Sequence, residues 1–371
     1  MAGQSGSQRT LACALVGIGA LLLVVAILIP TYTYGKLAKT PLDLEVTTIA
    51  DTPAEGGEVL DSRTLTGPGK LEVNKNVPLV SQRFLTVEDP SDSKKITVQA
   101  GQTLRRTDRQ GDTGLLSAII DRVTLDRKTG EGLEDPIGSI QIQSDQPAED
   151  VSHTGLLWRF PFDTEQKTYQ FFDLNARQAF DINFVEETEV NGTPVYHFQH
   201  TIPVTDLSKV VNSPTNKLSL PAEKWGLPGT DPVTMTRYYT NVRDVWVEPK
   251  TGVIVKGAEQ LHQYYARDPN KPDVTVLKAT LTWDENTVDY QIGKAKEGND
   301  KLSLYGRTLP IILGLLGLLL LIAGFFLGFR GGRGGGQGAH YAAPAPPAGG
   351  ATRSPGDWVD APTEQINLNK R

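Results

Sequence analysis

The sequence predicts a mainly β fold, an antiparallel β-rich α+β domain set between two transmembrane α-helices. Three observations carry this. Two long apolar blocks without a charge lie near the two ends of the 371-residue chain. Between them runs a succession of short alternating segments closed by turn residues, without a long stretch of helical periodicity. Once the two blocks are set aside, the 39% hydrophobic content falls to about one-third, so the middle of the chain is lean for a packed domain.

The first block runs from Leu11 to Ile29 and the second from Leu309 to Phe329, 19 and 21 residues without a charge. As helices they extend roughly 28 and 31 Å, the thickness of a bilayer core of about 30 Å. No small-residue cleavage site follows the first block, so it reads as a retained anchor. Tyr32, Tyr34, Tyr305, Arg307 and Arg330 are placed to act as anchors at the membrane interface. The single Cys13 falls inside the first block, which excludes a disulfide framework and a cysteine-built zinc site. Cys13 with Gly17, and Gly324 with Gly328, form small-xxx-small pairs that would let the two helices pack closely.

Two spans put residues 1–10 and 330–371 on one side and residues 30–308 on the other. The middle carries 31 basic and 40 acidic residues, the tail 5 and 3. A long loop translocates largely regardless of its charge. The expectation is a two-pass plasma-membrane protein with an extracytoplasmic middle domain and cytoplasmic termini. The Gly/Pro/Ala-rich tail is expected to be disordered. A net charge of −6 gives no reason to expect a nucleic-acid partner.

In the middle segment, Pro78 to Val87 and Lys95 to Ala100 read as a hairpin, as do Val233 to Val247 and Gly252 to Lys256 across Glu248-Pro249-Lys250-Thr251. Further strands are expected at Leu44 to Ala50, Arg122 to Leu125, Gly138 to Gln143, Tyr169 to Asp173, Ala179 to Glu186, Val195 to His200 and Val274 to Trp283, with Asn191-Gly192 as a tight turn. Helix is expected only in brief pieces, Leu115 to Ile120 and Asp206 to Val211.

Ten of the chain's 27 aromatic residues lie within the 41 positions from Trp158 to Phe198. Their bland role is a domain core. Their sharper role is the wall of an apolar cavity, formed by Trp158, Phe160, Phe162, Tyr169, Phe171, Phe184, Tyr196 and Phe198. No catalytic signature stands beside them: the five His residues do not form a helical metal motif, and neither a nucleophile elbow nor a phosphate loop is present. The chain reads as a non-enzyme without cofactor or metal. The one arrangement that would argue otherwise is His197 or His200 sharing a cleft with two carboxylates.

Four blocks, Trp158 to Thr164 (WRFPFDT), Lys167 to Asp173 (KTYQFFD), Asn191 to Phe198 (NGTPVYHF) and Trp246 to Gln260 (WVEPKTGVIVKGAEQ), resemble the actinobacterial membrane-protein family labelled porin PorA-like, also catalogued as a domain of unknown function. The resemblance implies a cell-envelope protein and supplies no catalytic residues. Physically, long apolar helices are incompatible with export of an outer-membrane barrel. The layout of span, large β-rich domain and span is also similar to the class B scavenger receptors, whose ectodomain carries a lipid tunnel. The leading expectation is therefore an ectodomain that binds or transfers an envelope lipid or lipoglycan at the outer face of the plasma membrane. The alternatives are a scaffold or regulator of an envelope enzyme or transporter, acting on a membrane-protein partner, and an oligomeric channel.

Overall fold

The computed structural model describes residues 3–331, with side chains described over 7–329. The tail expected to be disordered and the Arg330 side chain lie outside the described residues. Helix α1 (Gly3–Leu28) passes through a π-helical segment, Ile29–Thr33, into α2 (Tyr34–Leu37). Helix α4 (Glu285–Ser303) passes through a second π-helical segment, Leu304–Thr308, into α5 (Leu309–Gly331). The first π segment holds Pro30, which lacks the N–H that a regular α-helical ladder needs. Both apolar helices are long enough to cross a membrane. Their outward residues, such as Leu21, Leu319 and Phe329, are exposed and apolar, as lipid contact requires.

The two helices pack through small residues. Ala12, Val16, Gly19, Leu23 and Ala26 recur every three or four positions, and this stripe of α1 meets Gly314, Gly317, Leu321, Gly324 and Gly328 of α5. A methyl group on Gly19 would come within 2.7 Å of the Gly317 carbonyl oxygen, and one on Gly324 within 2.7 Å of Val16. Gly324 and Gly328 therefore face the first helix as their spacing suggests. The pairing of Cys13 with Gly17 does not hold: Cys13 is exposed, and nothing lies within 4 Å of a Cβ built on Gly17. The inward stripe runs one helical face away, where Ala12 and Gly19 are buried.

The strands are β1 (Glu45–Asp51), β2 (Gly57–Leu60), β3 (Val73–Val77), β4 (Leu79–Glu88), β5 (Lys95–Arg106), β6 (Leu115–Asp126), β7 (Gly132–Leu133) and β8 (Gly138–Gln141). They continue as β9 (Glu149–Val151), β10 (Tyr169–Asp173), β11 (Gln178–Val190), β12 (Thr193–Asp206), β13 (Lys217–Pro221), β14 (Pro232–Glu248), β15 (Val253–Ala266) and β16 (Val274–Trp283). Among the described residues they form one sheet in the order β10-β11-β12-β14-β15-β16-β1-β4-β5-β6-β8-β9, antiparallel at every ladder. Single bridges from Phe171 to Leu156 and from Leu156 to Glu131, beside β7, link β10 back toward β6. The hydrogen-bonded path thus curls round on itself. Packed apolar clusters fill much of the inside, for example Phe160, Ile182, Phe198 and Val247. The outer face of β11 presents Asp181, Asn183 and Glu186, the opposite of a lipid-facing band. The sheet carries no lipid-facing band there, and the two apolar helices are the elements long and apolar enough to cross a membrane.

Two expectations are corrected. Leu115 to Ile120 is strand, the first half of β6, paired along β5; its apolar residues satisfy sheet alternation and edge pairing rather than a helical face. The middle segment does contain a long helix, α4, which is 19 residues long. Its signals are a capping Asp284 whose carboxylate accepts from the Thr287 N–H and a buried stripe of Val288, Gln291, Ile292, Ala295 and Leu302. By contrast, the brief helix near 206–211 is present as α3 (Leu207–Val210), and Asn191-Gly192 makes its turn with positive φ at both residues.

If Gly19 and Gly317 hold the helices together, Gly317→Leu in the full chain should lower the melting temperature in detergent by several degrees, corresponding to about 1–3 kcal/mol of overpacking. Gly17→Leu should leave it unchanged. Equal effects from the two variants, read by circular dichroism, would contradict this packing.

Candidate functional site

Two of the four sequence blocks meet where the domain joins the membrane helices. The Glu248 carboxylate accepts hydrogen bonds from the Lys250 N–H (3.1 Å), the Thr251 N–H (2.8 Å) and the Thr251 hydroxyl (2.5 Å), closing the turn from β14 to β15. Gly252 follows with φ +71°, and a side chain there would strike the Phe160 and Pro161 carbonyls. The Trp158-to-Thr164 segment lies along this turn. Its Phe160, Asp163 and Thr164 N–H groups donate to the carbonyls of Gly252, Lys250 and Pro249.

That turn holds both helices. The Tyr34 hydroxyl donates to Asp163 at 2.8 Å, and Lys250 Nζ donates to the other Asp163 oxygen at 2.5 Å while lying over the Tyr34 ring. Tyr34 in turn packs on Gly306 of the second π-helical segment. Thr251 touches Gly298 of α4. Arg159 donates to the Thr40 hydroxyl at 2.6 Å and to the Thr251 and Phe160 carbonyls. Helix α4 is also seated on the sheet, where Val288, Ile292 and Ala295 bury against Val190, Val195 and Val255. Of the expected interface anchors, Tyr34 is thus a tether between helix and domain, whereas Tyr32, Tyr305 and Arg307 are exposed within the π-helical segments.

Above this junction the sheet encloses a cavity of about 510 Å³. Its rim includes the exposed Asp43 and Glu45 on one side and Lys294, Glu297 and Lys301 of α4 on the other. The mouth therefore sits close above the membrane helices. Deeper in, two cross-strand rows border the space: Thr48, Arg83, Gln102 and Ile119 on β1, β4, β5 and β6, and Arg243, Glu259 and Leu281 on β14, β15 and β16. Arg83 Nε and Nη2 donate to the Gln102 side-chain oxygen at 3.1 and 3.0 Å, and the guanidinium lies over the Trp158 ring at 4.9 Å.

The second row is an ion-pair network. Arg243 donates to Glu259 at 2.9 Å, to Asp173 at 3.0 Å and to His200 Nδ1 at 3.2 Å. Tyr239 donates to the same Asp173 oxygen. Burial alone would lower the Arg243 guanidinium, but Glu259 and Asp173 outweigh it and raise it above its ordinary value. Burial would raise Glu259, yet Arg243 and then Arg83 hold it down. Arg83 and Arg159 are different, because among the described residues neither has a carboxylate in ion-pair contact. Burial lowers both, Arg159 to about 9.

Of the eight residues expected to wall an apolar cavity, Trp158, Phe162 and Phe171 border this space. Phe160 and Phe198 are fully buried in the neighbouring apolar cluster, with Tyr169, Phe184 and Tyr196 packed against it. Phe160 and Phe198 pack at a tilt with ring centroids 4.6 Å apart, and Tyr169 and Phe184 meet Phe198 edge-on. Sequence reasoning singled out none of Arg83, Gln102, Arg243 and Glu259; alternation alone puts them on the inner face, but nothing local marks that face as open. His197 lies on the other face of β12, stacked on Trp246 and 2.8 Å from Asp244, with Glu186 at 3.9 Å. It is not a cavity residue. Among the described residues no group of three or more His, Cys, Asp and Glu side chains is placed to hold a metal ion.

A family model described as Porin PorA matches residues 11–326. A Porin PorA of Corynebacterium amycolatum is 35% identical over 385 aligned positions, covering 86% of this chain and 98% of that protein. A Porin PorA of Corynebacterium resistens is 33% identical, covering 85% and 96%. These matches overturn the expectation of a protein that binds or transfers a lipid or lipoglycan: the relatives spanning nearly the whole chain carry the name of a porin. The inference failed because aromatic density and a two-span layout are equally compatible with a packed core beside a membrane.

His200 is fully buried, and burial together with the adjacent Arg243 presses its imidazole down to about 3. The unfolded chain then binds the extra proton below about pH 6.5, so this contribution to stability is complete above that value and is lost as pH falls toward 3. His200→Phe should remove part of the acid sensitivity between pH 7 and 4, on the order of a few kcal/mol. An unchanged slope of stability against pH in the variant would refute the assignment.

Proposed function

We propose, from the premise that this chain belongs to the Porin PorA family, that it is a channel-forming membrane protein whose conducting unit is assembled from several copies. The observation that carries the reading is the pairing of that family membership with only two described spanning helices, which close on each other at Gly19 and Gly317. A water path needs polar or cavity-lining surface at membrane depth. A single closed pair has none, so a lumen has to form between pairs.

In this reading the chain crosses the plasma membrane twice, with both termini cytoplasmic and the β domain outside. Its partners are the bilayer and further copies of itself, and it carries out no catalysis. The junction at Tyr34, Asp163 and Lys250 fixes the domain over the helices, so the cavity mouth stands as a vestibule beside the lumen. Charged residues at the rim and inside would then act on solutes close to the pore.

Purified full-length protein reconstituted in planar bilayers should give stepwise conductance that rises with protein concentration. Absence of steps at concentrations where a known porin conducts would refute the channel reading.

A further inference from the structure

The cavity holds more cationic than anionic lining, six Lys and Arg against four Asp and Glu, in a chain whose net charge is −6. Most of these charges are accounted for. Lys294, Glu297 and Lys301 share one side of α4 at the rim, and Glu297 pairs with Lys301 at 2.7 Å. Arg243 is neutralised by Glu259 and Asp173. Arg159 spends its donors on the Thr40 hydroxyl and two carbonyls, which makes it part of the junction.

Arg83 remains. It extends from β4 into the cavity, is held by the Gln102 amide oxygen through Nε and Nη2, and is backed by the Trp158 ring. Its Nη1 makes no hydrogen bond to the described residues. The Arg83 guanidinium is partly buried and, among the described residues, has no carboxylate within ion-pair distance, so an anion joining it would offset the cost of that burial. Gln102 and Trp158 fix its plane, so its free edge is pre-oriented for a planar or tetrahedral oxyanion. Glu259, across the cavity, limits the local positive field, which favours a small anion at Arg83 over a large polyanion.

The geometry points to an anion-binding site centred on Arg83 inside the cavity, taking a small oxyanion of the carboxylate or phosphate class. Gln102 and Trp158 are positioning residues, and Arg83 is the residue that binds. This inference rests on the channel reading for one consequence only, that the site biases the pore toward anions, as cationic side chains do in anion-conducting pores. Binding itself requires no conduction.

The test uses full-length protein in detergent and in bilayers, with inorganic phosphate and acetate as probes at constant ionic strength. Calorimetric titration should detect phosphate or acetate binding to the wild type, a loss of about tenfold or more in affinity for Arg83→Gln, and partial retention in Arg83→Lys. Circular dichroism of each variant establishes that it is folded, and Arg83→Lys keeps the test open should Arg83→Gln not fold. In bilayers, the chloride-to-potassium permeability ratio should fall about threefold in Arg83→Gln and recover in Arg83→Lys. If the protein conducts but shows neither anion binding nor a changed ratio, the site is overturned. If nothing conducts while binding depends on Arg83, the channel reading fails and the site stands. If the wild type binds neither probe, the site is overturned whatever the conductance.

Discussion

The contact between Gly19 and Gly317 constrains everything else in this molecule. Because no side chain separates the two backbones there, α1 and α5 seal together along a stripe of small residues. Lipid tails supply no hydrophobic drive between helices, so close backbone approach is what makes the pair one unit. That unit ends at two π-helical segments lying side by side, with the Tyr34 ring on Gly306. From that level upward, polar contacts take over from packing. Tyr34 is fastened to Asp163 and Lys250, and α4 is seated on β15 by its apolar stripe. A sheet domain attached at two points cannot swing on one flexible linker, so its cavity keeps a fixed position relative to the spans.

The same attachment explains the chemistry of the Trp158-to-Thr164 and Glu248-to-Gly252 blocks. Several of their groups close the turn or fasten neighbouring segments to it: Glu248 caps three donors of its own turn, Gly252 lets Phe160 approach, and Arg159 ties Thr40 to Thr251. These are structural roles. The groups with ligand chemistry lie further in, on one row of the sheet that crosses four strands and another that crosses three, where Arg83 and Glu259 both border the open space.

Much of this was legible in the sequence. The apolar blocks declare the spans because nothing but length and charge is needed to recognise them. The hairpins at Asn191-Gly192 and Glu248-to-Gly252 declare themselves through turn chemistry that is local. Helix α4 was missed because its buried stripe is short on large apolar residues, including Gln291 and Ala295 where Leu would have signalled a helix. Leu115 to Ile120 deceived in the other direction, since its run of apolar residues fits a helical turn and only pairing with β5 settles it. The cavity was beyond reach for a further reason: whether an inward aromatic residue closes on others, as Phe198 does, or borders space, as Phe171 also does, depends on strands far apart in the chain. The aromatic block marked the right region: Trp158, Phe162 and Phe171 border the cavity, and Phe160 and Phe198 close on each other beside it.

In the proposed channel one chain contributes a closed helix pair, and conduction arises only between several chains. Counting the chains in a conducting unit addresses it most directly. Full-length protein carrying a single fluorophore, reconstituted at low density in a bilayer, can be followed by photobleaching while current is recorded from the same patch. The account predicts several bleaching steps in every conducting spot and no current from spots that bleach in one step. Steady conductance from single-step spots would contradict it.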